Sequence, residues 1–171
     1  MKIITQLIRH LFSFEQENNR KLKEALPKKT VLLAEDNPII VLPIKNMLER
    51  QGYHVTAVED GNKALRYLKS YTYSWGLLDL MLPEMDALDL VENYRVWEKQ
   101  VNKPYIPIFG LTGYPFEKME LACKESGMNL VFGKPFQLGN LKCIENLIKN
   151  PQEAQLNSSK KVGSPPLKGA N

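Results

Sequence analysis

Trp75-Gly76-Leu77-Leu78-Asp79-Leu80-Met81-Leu82-Pro83 is an apolar run without polar alternation, interrupted by one carboxylate and stopped by a proline. A strand covered on both faces reads this way, because neither face has to be wetted. The run predicts a buried strand over Trp75–Asp79 with a charged residue at its carboxyl end. Val31-Leu32-Leu33 has the same character, and the acidic pair Glu35-Asp36 follows it.

Outward from these two runs, short apolar segments alternate with longer segments of helical period. That alternation is the pattern of an open parallel sheet wrapped by helices, a doubly wound α/β fold. Strands are expected at Thr30–Ala34, Tyr53–Val58, Trp75–Asp79, Ile106–Leu111 and Asn129–Gly133. Helices are expected near Pro38–Gln51, Gly61–Ser70, Ala87–Trp97, Phe116–Ser126 and Leu138–Lys149, which makes five βα units. Asp36-Asn37-Pro38 has the make-up of a helix start, and Gly52 and Gly127 follow helical runs as stops. Pro43 would remove a hydrogen bond inside the first helix, so a kink or a later start is expected there.

Ligands of open α/β sheets bind outside the carboxyl ends of the strands. Four of the five ends carry reactive or charged groups: Glu35-Asp36, Asp79, Thr112 and Lys134-Pro135. Three carboxylates brought to one edge repel one another, and a hard divalent cation bound through oxygen relieves that repulsion, with Mg2+ the natural candidate. Beside a cation and Lys134, the Asp79 carboxylate is placed to act as a nucleophile. A metal and a lysine can also neutralise the oxygens of a transferring phosphoryl group by position alone. Thr112 can donate a hydrogen bond to the product, and no general base is required because the attacking carboxylate carries no proton.

The stretches Leu-Leu-Ala-Glu-Asp-Asn-Pro-Ile (32–39), Leu-Leu-Asp-Leu-Met-Leu-Pro-Glu-Met-Asp (77–86), Gly-Leu-Thr-Gly (110–113) and Gly-Lys-Pro-Phe (133–136) resemble, in order and spacing, the signatures of response-regulator receiver domains. The resemblance covers about residues 30–149 and implies a five-stranded sheet of order 2-1-3-4-5. It implies that Asp79 accepts phosphate and that Asp36, Asp79 and the backbone of Met81 bind Mg2+, with Glu35 acting indirectly. Thr112 and Lys134 would contact the phosphoryl group, and Lys134-Pro135 would be a cis peptide. The wording of the motifs is similar to receivers of hybrid kinases and phosphorelays, so the implied partner is a sensor histidine kinase or a histidine phosphotransfer protein.

Four positions depart from the family pattern. Ala87 stands where glycine is usual. Met81 and Tyr114, two residues beyond Asp79 and Thr112, are bulky groups where the family tunes attack by water, so a long-lived phosphorylated state is expected. Val131 replaces the family's switch aromatic, and Phe132 cannot substitute because neighbours on a strand point to opposite faces. Signalling through the loop after Thr112 is the expected alternative route.

The 171 residues suffice for one domain with tails: an amphipathic helical extension over 1–29, a receiver over 30–150 and a disordered tail over 151–171. In the first segment Ile4, Leu7, Ile8, Leu11 and Phe12 recur at helical spacing. Packing on its own domain is the first reading of that helix, with dimerisation or docking to a partner next and a membrane surface third. The net charge of +4 is confined to the ends, at +4 for residues 1–29, −2 for 30–150 and +2 for 151–171. A nucleic-acid reader would carry the basic face on the domain itself, so none is expected.

No apolar run is long enough to cross a membrane, and Cys123 and Cys143 have neither zinc-site nor disulfide context, which favours a cytoplasmic protein. His10 and His54 lack metal-site spacing, and Trp75 and Trp97 read as packing residues. The leading function is a stand-alone receiver with no enzymatic activity beyond self-phosphorylation and slow autodephosphorylation. The alternatives are a pseudo-receiver serving as a constitutive binding or dimerisation module, and a phosphatase of related fold. The latter would need an acid where Met81 stands.

Overall fold

A computed structural model describes residues 29–115 and 119–150. Its five strands are β1 (Thr30–Ala34), β2 (His54–Val58), β3 (Trp75–Asp79), β4 (Ile108–Thr112) and β5 (Leu130–Gly133). All pair in parallel in the order β2-β1-β3-β4-β5, the doubly wound arrangement expected. The helices are α1 (Pro38–Arg50), α2 (Gly61–Ser70), α3 (Ala87–Gln100), α4 (Glu120–Ser126) and α5 (Leu138–Lys149). The helical extension expected over 1–29 and the tail over 151–171 lie outside the described residues.

Two compact units are distinguished, one reaching to Pro135 and the other starting at Phe136. In the first, one face of the sheet supplies Leu32, Leu78, Ile108 and Val131 to a core completed by Ala64 and Leu68 of α2, Leu90 and Tyr94 of α3 and Cys123 of α4. On the other face Trp75 is fully buried and meets Tyr53 and Phe109 edge-on. Each large side chain buried this way contributes about 2 kcal/mol before entropy is counted. In the second unit, α5 opens with Asn140 accepting from the Gln137 N–H at 2.7 Å and buries Leu141 and Ile144, one turn apart.

Local chemistry sets the other helix ends. Asn37, Asp60 and Asp86 cap α1, α2 and α3 through their side-chain oxygens, leaving α1 to begin at Pro38 and run through Pro43 without the later start the sequence suggested. The carbonyl that Pro43 leaves unused belongs to Ile39, which is 80% exposed, so water can replace the missing donor. At the far end of α2 the Lys103 ammonium donates to Leu68 O at 2.6 Å and Tyr71 O at 2.7 Å. Lys103 and Lys69 also flank the half-buried Trp97 ring, whereas His54 is exposed.

Some boundaries differ from expectation for identifiable reasons. β4 starts at Ile108 because Ile106 gives its N–H to Glu98 and Pro107 has none to give. Tyr53 precedes β2 because its N–H closes α1 on Leu48 O. α3 continues past Trp97 to Gln100, and α4 begins at Glu120, with residues 116–118 of the longer expected helix outside the described residues.

Candidate functional site

The carboxyl ends of β1, β3, β4 and β5 meet as the sequence suggested. Parallel register sets Asp79 opposite Leu111 and Thr112 opposite Gly133, so the acidic and basic ends fall side by side. Carboxylate oxygens of Glu35, Asp36 and Asp79 all lie within 4.8 Å of one another. Glu35 and Asp79 are buried and Asp36 is exposed. Lys134 Nζ lies 2.8 Å from Asp79 Oδ2 and 2.7 Å from Glu35 Oε2. Thr112 is buried next to them, its carbonyl accepting from Lys134 N at 2.7 Å. Its Oγ1 accepts from Tyr114 N at 3.1 Å, which leaves the hydroxyl proton to be donated elsewhere.

Glu35 is held from both sides. Its Oε1 accepts from Asn37 N at 3.2 Å, while Oε2 is close to Lys134 but off the hydrogen-bond axis and has no aligned donor. Burial pushes the Glu35 carboxyl above its ordinary value; Lys134 opposes the rise and the Asp79 charge adds to it. For Lys134, burial works against the charged form, but its contacts with Asp79 and Glu35 outweigh it and the ammonium is held above the ordinary lysine value. Three carboxylates around one ammonium leave negative charge in excess, and a buried carboxylate oxygen lacks an aligned donor. The residues present therefore fit an oxygen-seeking divalent cation.

The loop after Asp79 is tightly constrained. Met81 N donates to Asp79 Oδ1 at 3.3 Å. Pro83 O accepts from both Met85 N (2.8 Å) and Gly61 N (3.1 Å), and Glu84 between them adopts φ 67°. Gly61 is required by close approach: a β-carbon there would fall on the carbonyl of Met85. Neither Asn37 nor Gly61 was marked by sequence reasoning as part of the site. Asn37 read only as a helix start, and Gly61 only as the first residue of a helix.

The response regulator receiver domain model matches residues 31–144. The chain is a member of the receiver family. The receiver is 31% identical over 142 residues to the sensor protein GacS of Pseudomonas syringae pv. syringae, spanning 80% of this chain and 16% of that protein. It is 32% identical over 133 residues to the peroxide stress-activated histidine kinase mak3 of Schizosaccharomyces pombe, spanning 75% of this chain and 6% of that one. It thus spans less than a fifth of the length of these relatives.

Among solved structures, the receiver resembles the receiver domain of sensor histidine kinase PA1611 from Pseudomonas aeruginosa PAO1, at 33% identity and a TM-score of 0.62, covering 71% of this chain and 98% of that one. That structure has a magnesium ion coordinated in its active site cleft. The chemotaxis protein CheY4 of Vibrio cholerae, at 22% identity and a TM-score of 0.61, shares the fold while covering 70% of this chain and 98% of that one.

The departures from the family pattern take definite places in this receiver. Met81 is 62% exposed and Tyr114 65% exposed, one on the loop after Asp79 and the other beyond Thr112. Val131 is buried in the core formed with α2, α3 and α4. Phe132 meets the Phe109 ring at 6.1 Å. The Lys134–Pro135 peptide is cis, as the resemblance implied.

Proposed function

We propose that Asp79 accepts the phosphoryl group of a phosphohistidine carried by a sensor histidine kinase or a histidine phosphotransfer protein, and that the phosphorylated receiver acts through protein contacts. The observation that carries this reading is the 2.8 Å pairing of Lys134 with Asp79 beside two further carboxylates. A Mg2+ bound by Asp36, Asp79 and the Met81 backbone, with Glu35 in support, would neutralise phosphoryl oxygens and hold them in line for attack.

Asp79 then forms an oxygen–phosphorus bond as the nitrogen–phosphorus bond of the donor breaks, and the departing imidazole nitrogen takes a proton from water. Lys134 follows the charge from carboxylate to phosphoryl oxygen, and the Thr112 hydroxyl donates to the same group. Exposed Ile39 and Leu42 on α1, close in sequence to Asp36, offer apolar surface for the donor protein.

This reading keeps the receiver cytoplasmic and allows a homodimer through residues 1–29 or another face. Among the described residues no helix is long and apolar enough to cross a membrane. Transfer of labelled phosphate from a phosphorylated histidine phosphotransfer protein tests the proposal. Label should move to the receiver with Mg2+ present and stay on the donor when Asp79→Asn is used. Equal labelling of both forms would refute it.

A further inference from the structure

Gly110 lies two residues before Thr112 on the same face of β4. A β-carbon there would meet Leu80 Cδ2 at 3.0 Å, Met128 Sδ at 3.2 Å and Val131 Cγ2 at 3.2 Å, so three side chains close over the glycine and would have to give way to a methyl. They come from three directions. Leu80 follows Asp79 in the chain, Val131 is the partner of Gly110 in β5, and Met128 follows the end of α4.

Met128 is tied to both of the elements it separates. Its N–H donates to Cys123 O in the last turn of α4 at 3.0 Å, and Gly127 before it has the left-handed φ of 98° that ends the helix. Asn129 after it bonds Ile108 of β4 in both directions, giving its N–H at 2.7 Å and accepting at Oδ1 at 2.8 Å. Gly127 O accepts from Arg95 Nε at 3.2 Å, which joins the same turn to α3. A displacement of β4 at Gly110 therefore presses on a side chain whose backbone is fastened to the end of α4. Packed interiors respond to such pressure by discrete rearrangement.

We propose that Met128 couples phosphorylation of Asp79 to α4. This rests on the reading of Asp79 as the phosphoryl acceptor. When Thr112 is drawn toward the acyl phosphate, β4 shifts at Gly110 and Leu80 shifts behind Asp79. The Met128 side chain, caught between them, transmits the movement to the C-terminal turn of α4 through Gly127 and Cys123. Val131 has no ring to rotate, and its methyl group serves as the wall against which Met128 bears. Thioether flexibility suits Met128 to two packings of similar energy. Met128 is a positioning residue in this account and touches neither phosphate nor metal.

The test uses amide resonances of the full chain with Mg2+, before and after adding beryllofluoride as the acyl-phosphate mimic. In the wild type, changes are expected at Thr112 and Lys134 and also across Glu120–Met128. Met128→Ala should keep the changes at Thr112 and Lys134 while those across α4 shrink about threefold or more, and Met128→Leu should restore them. Gly110→Ala should displace Met128 and move the α4 amides before any mimic is added.

Full-amplitude α4 changes in Met128→Ala, or undisturbed α4 amides in Gly110→Ala, would overturn the coupling. A wild type responding at Thr112 and Lys134 but not in α4 would also sink it, leaving the acceptor reading intact. No Mg2+-dependent response at Thr112 or Lys134 would mean that the acceptor reading itself had failed.

Discussion

The Lys134 ammonium lies 2.8 Å from Asp79 Oδ2 while also contacting Glu35, so a single cation compensates two buried carboxylates at the ends of β1 and β3. Removing it leaves those charges facing each other at two buried positions. Lys134→Met should therefore destabilise the receiver by about 2 kcal/mol, somewhat below the cost of breaking a fully buried pair. Urea denaturation without divalent cations measures this, and added Mg2+ should recover part of the loss.

Cation binding to the folded chain alone must raise its stability by mass action. At a hundredfold excess of Mg2+ over its dissociation constant the gain should be about 2.7 kcal/mol. Asp36→Asn removes a carboxylate from the cluster of three and should abolish most of the gain. Calorimetric melting with Mg2+ and with EDTA reads the difference directly. An unchanged gain in Asp36→Asn would remove Asp36 from the ligand set.

Arg95 and Glu98 form a buried pair at 2.8 Å, with Arg95 also donating to Gly127 O and Ile106 O and Glu98 accepting from Ile106 N. Arg95→Ala should cost about 3–5 kcal/mol, because Glu98 is left charged and buried. Replacing both residues with apolar ones of similar volume should cost less than the single change. Denaturation of the two single variants and the double variant measures the coupling.

Gly61→Ala should disturb the loop that follows Asp79, since the new methyl would displace the Met85 carbonyl. A loss of about 1–3 kcal/mol is expected from overpacking. Because the same loop begins at Met81, weaker Mg2+ binding should accompany it. Titration calorimetry on the folded variant checks the second effect separately from the first.

Met81 and Tyr114 follow Asp79 and Thr112 by two residues and are exposed, and the resemblance to receivers implies that they slow attack of water on an aspartyl phosphate. The phosphorylated wild type should be long-lived, and Met81→Ala or Tyr114→Ala should shorten its lifetime. A phosphate-release time course decides this, and loss of the wild-type phosphoryl group within seconds would contradict it.

Much of this architecture is legible in residue order because it depends on local pattern. β1, β3, α2 and α5 fall on the expected residues, since their apolar runs and caps are contiguous in the chain. The site was legible for the same reason: its groups occupy strand ends, and parallel pairing brings strand ends together whatever lies between them. The start of β4 was hidden because Ile106 is bonded to Glu98 eight residues earlier, a tertiary contact that local pattern does not reveal. The packing of Met128 over Gly110 was hidden too. It depends on where the end of α4 meets β4, and nothing in either segment alone marks the meeting. Asn37 was visible as a cap, but its N–H contact with Glu35 became apparent only when the β1–α1 turn was seen.

The central claim is that Asp79 is the phosphoryl acceptor. Intact-mass analysis after incubation with acetyl phosphate and Mg2+ tests it most directly, comparing wild type with Asp79→Asn. One added phosphoryl group on the wild type, absent with EDTA and absent from Asp79→Asn, is the predicted result. A phosphoryl group of equal occupancy on Asp79→Asn, or none on the wild type with Mg2+ present, would contradict the account.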